Sequence, residues 1–296
     1  MFKKVIVSLL LCVASAAFAK EVITIVWPFG FGSNQANTIR AMIIDANASQ
    51  DAYELVLENK PGAGGVVAAN YVSGHSHNTV LAMSSSFFVR PNFPGSGPVY
   101  AIDKFTPVFV QAVGSPIAVL SKRYSSYKEI PLTDATTVGT AGVGTLSDLV
   151  AAGILNTRRV PYQSMIAADK DVIGMHIDIS TDFLGDISGL VDSGIVNVIG
   201  ITGTRQIGNL IPLEKQGIKG FDKLVANYGI YASTDMSEGT LVALHKILAQ
   251  ANQRPLVIES YNRDYLTPVT MNIRQSQVWF KEQTQFWRIQ SEKINK

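Results

Sequence analysis

Hydrophobic residues in this chain come in short runs of two kinds, separated by glycine- and proline-rich turns. Val22-Ile23-Thr24-Ile25-Val26-Trp27, Glu54-Leu55-Val56-Leu57 and Val80-Leu81-Ala82-Met83 are brief and rich in β-branched or bulky residues, which predicts buried strands. Between them, residues 36–46 place Ala36, Ile39, Ile43 and Ala46 on one helical face, with Ser33 or Asn34 positioned as the cap, and the small-residue run 66–72 predicts a second helix. The same order returns later: a strand at 137–140, a glycine turn at 141–145 and a helix at 146–155. Further strands are predicted at 105–113, 117–120, 160–161 (with a turn at Tyr162), 177–180, 196–201 and 229–232, an irregular loop at 91–98, and amphipathic helices at 241–251 and 278–294. Strand–loop–helix alternation predicts parallel sheets, and ligands in such sheets bind at the loops beyond the carboxyl ends of the strands. Those loops are 30–34, 84–86 and 141–145, and two small sheets whose loops face each other make a cleft.

Composition narrows the function classes. Lys3 and Lys4, the apolar run 5–13 and Ala17-Phe18-Ala19 read as a secretory signal peptide over residues 1–19, with an exported chain starting at Lys20. Leu11 stands before Cys12 where a lipoprotein signal has a small residue, which argues against acylation. Of 25 basic residues two are Lys3 and Lys4, against 23 acidic residues, so the exported chain is close to neutral. That disfavours nucleic acid or a membrane surface as partner. The single cysteine lies in the leader, so the remainder has neither disulfides nor cysteine ligation of a metal, and it relies on its hydrophobic core. No cofactor and no metal are expected, and the chain is expected to be a monomer.

Several motifs have a sharp and a plain reading. Gly62-Ala63-Gly64-Gly65 lacks the spacing of a dinucleotide-binding turn, so its roles are the turn itself and close strand–helix packing. The turn at 141–145 has no following Gly-Lys and is not a phosphate-binding loop; a helix-capping turn and a ligand contact stay open. Gly74-His75-Ser76-His77-Asn78 precedes a strand and does not end in glycine, so it is not a nucleophile elbow. Asp178 reads as structural. Asp182, placed just beyond the strand, either touches ligand or caps a helix. Trp279, Phe280, Phe286 and Trp287 read as core, and Tyr162 offers a polar handle on an apolar ring.

Glu58-Asn59-Lys60-Pro61-Gly62-Ala63-Gly64-Gly65 closely resembles the E-N-[RK]-P-G-A-G-G signature of the Bug-type (TctC-like) receptors of tripartite tricarboxylate transporters. Val26-Trp27-Pro28-Phe29-Gly30-Phe31-Gly32 is similar to that family's V-P-F-A-P-G-G segment, with Arg40 on the helix that follows. Gly139–Thr145 is similar to its G-S-A-G-V-G-S loop and Val160-Pro161-Tyr162 to its V-P-Y. Asp178, Asp182, Ser193-Gly194, Arg205, Tyr228-Gly229 and Trp287 also fall on family positions. The resemblance implies an α/β fold of the two-lobed, type II periplasmic binding-protein kind, each lobe a mixed or parallel sheet flanked by helices. Lobe one would be 20–119 plus 233–296, and lobe two 120–232. It implies a periplasmic receptor without catalytic activity, capturing a small carboxylate for a membrane permease pair; a ligand sensor and a periplasmic hydrolase are the alternatives. The expected contacts are Gly30, Phe31, Gly32, Ser33, Asn34, Ser84 and Ser85 from lobe one, and Gly142, Val143, Gly144, Thr145, Tyr162 and Asp182 from lobe two. The chain departs from the family at Phe31, Ser33, Ala36, Gln163 and Asn227. Ala36 stands where the family has an aspartate, a candidate partner for a ligand amine, and its loss favours a plain carboxylic acid over an amino acid.

Overall fold

One long strand organises the molecule. The computed structural model describes residues 20–95, 97, 99–154 and 156–293. In chain order the strands are β1 (Glu21–Trp27), β2 (Tyr53–Asn59), β3 (Thr79–Ser84), β4 (Phe105–Ser121), β5 (Thr137–Thr140), β6 (Arg158–Pro161), β7 (Ile179–Phe183), β8 (Asn197–Ile201), β9 (Val225–Ser233) and β10 (Thr267–Pro268). The α-helices are α1 (Asn34–Ser49), α2 (Val66–Gly74), α3 (Ser86–Val89), α4 (Leu146–Ala152), α5 (Met165–Ile173), α6 (Ser188–Asp192), α7 (Glu238–Ala251), α8 (Pro255–Arg263) and α9 (Ile273–Lys293). The signal-peptide reading at 1–19 lies outside the described residues.

In one lobe β1 pairs in parallel with β2 and β3, and β9 runs antiparallel to β3 and β4. In the other, β5 pairs in parallel with β6 and β7, while the end of β4 runs antiparallel to β7 and β8. β4 therefore belongs to both: 105–116 pair with β9, and 117–121 with the second lobe. The sequence pattern suggested two strands here, because Gly114 interrupts the apolar run. The chain instead continues through Gly114 at φ +91°, with register shifts against β9 on the way. Asn227 of β9 accepts a hydrogen bond from the Gly114 amide at 3.0 Å. The crossover is thus built around a glycine that no other residue could replace without strain.

Local signals explain most elements. Ser33 caps α1, its hydroxyl accepting from the Ala36 amide, and Ala36, Ile39, Met42, Ile43 and Ala46 form its buried face. Thr145 caps α4 and Ser237 caps α7 in the same way. α5 and α8 were not anticipated, although Pro255 in the first turn of α8 is a start signal. Asp182 is corrected: it lies inside β7, opposite Ala118 of β4, and is buried. Phe280 and Trp287 of α9 are buried, Phe280 against Phe88 of α3 and Tyr231 of β9. Among the described residues no helix is long and apolar enough to cross a membrane.

Candidate functional site

The loop after β1 is held in shape by the motif after β2. The Asn59 side-chain amide donates to the carbonyls of Trp27 and Phe29, and the Lys60 amide donates to Trp27. The Trp27 indole N–H closes the loop onto the Gly30 carbonyl at 3.2 Å. Lys60 pairs with Glu58 at 2.6 Å and sits over the Tyr71 ring. Gly62, Gly64 and Gly65 all have positive φ. A side chain on Gly65 would collide with Met83 of β3, and one on Gly64 would lie 2.9 Å from the Val143 carbonyl. The motif therefore packs strand on helix, as expected, and also abuts the second glycine loop across the cleft.

Between the lobes lies a cavity of about 370 Å³, of the size that holds a small organic molecule. Gly30, Gly32, Ser33, Ser84, Thr145 and Asp182 from the expected set line it. So do Trp27, Phe29, Met165, Ile166, Ile173 and Leu190, which make much of the wall apolar. Gly32 faces Ile166 across the cleft, where a side chain would meet the Ile166 Cδ1 at 2.7 Å. Ser86 links the lobes, its hydroxyl accepting from the Leu146 amide at 3.0 Å.

The other expected contacts lie elsewhere, for identifiable reasons. The Phe31 ring points out of the cavity and packs on the Arg40 guanidinium 4.4 Å away. Ser85 is buried behind the loop, donating to the Val225 carbonyl and accepting from the Asn227 amide, so it ties the end of β3 to the start of β9. Asn34 clasps the second lobe: its backbone amide donates to Asp186 at 2.7 Å, and its side chain donates to the Gly185 carbonyl and to Asp264. The Gly144 amide is taken by Asp148, and Arg90 fills the space beside that glycine. Gly142, Val143 and Tyr162 line a second cavity of about 530 Å³, together with Pro61, Gly62, Ala63 and Gly64. The Tyr162 hydroxyl donates to Asp171 at 2.6 Å, and burial together with that carboxylate pushes its pKa up to about 12.

An acidic wall was not anticipated from the sequence. Asp169 of α5, Asp182 of β7 and Asp186 beyond β7 line the first cavity, and Asp264 after α8 stands behind them. Asp182 is pushed well above the usual carboxylate range by burial and by the neighbouring Asp169 and Asp186. Asp169, also raised by burial, lies against Asp182 and accepts from the Ser180 hydroxyl at 2.7 Å. Asp186 faces the cleft, and its surroundings raise it to about 6, opposed by the Asn34 amide. Asp264 is raised to about 6 by burial, opposed by Asn34 and Arg263. Lys170 lines the rim and is exposed. Asp186 stands at the carboxyl end of a strand, a position that could have marked it; Asp169 and Asp264 carry no comparable local signal. Gln35, next to the expected Asn34, was also missed. It is buried against this wall, and neither its amide oxygen nor its nitrogen has a hydrogen-bond partner among the described residues. Among the described residues there is no cluster suited to a metal ion.

Residues 40–295 match the sequence model of the family described as "Tripartite tricarboxylate transporter family receptor". A UPF0065 protein from the ttuE–ttuC' intergenic region of Agrobacterium vitis is 24% identical over 278 residues, covering 88% of this chain and 80% of that protein. Among solved structures, the periplasmic binding protein BugD superposes with a TM-score of 0.83 at 21% identity, covering 94% of this chain and 99% of BugD. MatC from Rhodopseudomonas palustris with bound malate superposes with a TM-score of 0.80 at 20% identity, covering 93% of this chain and all of MatC (100%).

Proposed function

Because the chain belongs to the tripartite tricarboxylate transporter receptor family, we propose that it captures a small organic carboxylate, a di- or tricarboxylate or a related acid, and delivers it to a membrane permease pair. The family is one of solute receptors, which leaves the hydrolase reading without support. The observation that carries the proposal is the 370 Å³ cavity closed by loops of both lobes. Its wall combines an apolar body with the hydroxyl of Ser33 and the backbone at Gly30, which no neighbouring atom crowds. Hydroxyls and backbone amides suit a carboxylate without an arginine clamp.

In this reading residues 20–116 and 225–296 form lobe one and 117–224 lobe two, since β4 changes partners after Pro116 and β9 pairs with β3 and the first part of β4, rather than dividing after 119 and 232 as the resemblance implied. Closure takes place about the crossover of β4 and β9, where Gly114 absorbs the backbone change. The receptor works in the periplasm, exported by its leader, and as a monomer. The relative with bound malate supports a carboxylate as the kind of ligand.

The test is thermal unfolding of the refolded, ligand-stripped chain against mono-, di- and tricarboxylates. A ligand at a hundred times its Kd adds about 2.7 kcal/mol, a clear rise in Tm. Ser33→Trp places a large ring in the cavity and removes that rise. A flat response from a folded protein, or a rise unchanged in Ser33→Trp, overturns the reading.

A further inference from the structure

Resting on that receptor reading, we propose that the ligand carries an ammonium or similar cationic donor beside its carboxylate, on a hydrocarbon body, and that Asp186 and Gln35 receive the cationic end. The family departure at Ala36 pointed towards a plain acid, since an aspartate is missing from α1. The tertiary structure supplies carboxylates to the same cavity from other elements: Asp169 from α5, Asp182 from β7 and Asp186 from the turn after it. Lys170 is the basic side chain on the cavity wall, and it stands exposed at the rim.

Charge and hydrogen-bonding capacity agree. Three carboxylates line this cavity against one exposed lysine, and burial raises Asp169 and Asp182 while Asp186 stands open to the cleft, so the wall is acidic. A second carboxylate on the ligand would face like charges in a site of low dielectric constant. An ammonium reverses the sign of that interaction and brings three donors. Asp186 commits its Oδ1 to the Asn34 amide and is otherwise open to the cleft. Gln35 is the independent observation. It is 3% exposed, lines the main cavity, and also lines the small void of about 10 Å³ shared with Asp186 and Asp264. Its amide has no hydrogen-bond partner among the described residues. Buried amides of that kind are rare because an unmade hydrogen bond is costly, and a ligand group completes this one. The Oε1 accepts from an ammonium, and the N–H₂ group can turn to a neighbouring carboxylate. The apolar wall of Met165, Ile166 and Leu190 fits a hydrocarbon spacer.

The experiment compares 6-aminohexanoate, adipate and hexanoate by titration calorimetry on the ligand-stripped chain at about pH 7.5. These probes share a carboxylate and a chain length, and differ in whether the far end is an ammonium, a carboxylate or a methyl group. We expect 6-aminohexanoate to bind at least about tenfold tighter than adipate, the scale of one charge-assisted contact. Asp186→Asn keeps an oxygen for the Asn34 amide. It should remove about tenfold of that preference and leave hexanoate within about twofold, with the unliganded Tm showing that the variant is folded. Gln35→Leu should weaken 6-aminohexanoate in the same direction.

The groups facing the cationic end are Asp169, Asp182, Asp186, Asp264, Tyr228, Lys170 and Arg263. With the aspartates dominant, 6-aminohexanoate affinity should fall as the pH is lowered towards about 5. Adipate binding equal to or tighter than 6-aminohexanoate, or strengthening at low pH through protonated aspartates donating to it, overturns the inference and leaves the carboxylate receptor standing. A preference unchanged in Asp186→Asn overturns it as well. If no carboxylate of the wider panel binds the folded chain, the receptor reading falls, and this inference with it.

Discussion

The glycine turn at 62–65 and the acidic wall of the cavity occupy the same cleft and were assembled in opposite ways. The turn is local: within eight residues it contains the ion pair, the amide that holds the neighbouring loop and the glycines that permit positive φ. The wall is dispersed: Asp169, Asp182, Asp186 and Asp264 come from α5, β7 and two loops; burial raises all four, and neighbouring carboxylates raise Asp182 and Asp186 further. The local motif sets backbone shape, whereas the dispersed one sets charge. The residues that mark the family most plainly therefore serve largely to build the site. Of the wall residues only Asp182 was marked by the sequence; Asp169, Asp186 and Asp264 join it through the fold.

The comparison breaks most visibly at Gly62, whose φ of +138° and ψ of +147° belong to a region open almost only to glycine. Gly62→Ala should destabilise the fold by about 2–3 kcal/mol in urea denaturation, with strain and the clash at Val67 acting together. A loss below about 0.5 kcal/mol would mean the turn relaxes freely and is not a fixed support for the neighbouring loop.

The acidic wall should respond in the other direction. Asp264 is raised to about 6 in the folded chain, against about 4 when unfolded. The folded state thus keeps a proton that the unfolded state has released, so stability falls as the pH rises from about 4 to about 6 and is level above that. Asp264→Asn retains an oxygen for Asn34 and removes this charge. It should stabilise the ligand-free protein by about 1–2 kcal/mol at pH 7.5, with the gain vanishing below about pH 4. A gain independent of pH would show that charge is not its source.

The smallest effect belongs to Phe31, which the family resemblance placed at the ligand. The residue is 39% exposed, and its ring packs on Arg40 outside the cavity. Phe31→Ala should change stability by less than about 1 kcal/mol and ligand affinity by less than about twofold in the same titrations. A tenfold loss of affinity would return it to the site.

The strand–turn–helix order, a cap at Ser33 or Asn34, the two glycine turns and the family were legible in the residues themselves, whereas the choice of Ser33 and the Thr145 cap came from the fold. What was legible depends on a few neighbouring residues: a hydroxyl three positions before an amide, a glycine where φ is positive, a period of two or of 3.6. The sequence also pointed to the first loop, where Gly30, Gly32 and Ser33 do line the cavity. It misread the division at Gly114, since a break in an apolar run looks the same whether a strand ends or passes between lobes. Tertiary structure alone decided that Asn34 clasps the far lobe across 152 residues of chain to Asp186, that Ser85 ties the end of β3 to the start of β9, and that Asp182 is buried inside a strand beside Asp169. The physical reason is range. Dihedral preferences and caps act over one turn of chain, while the field at a point in the cavity sums over every charge that folding brings near it, whatever its position in the sequence.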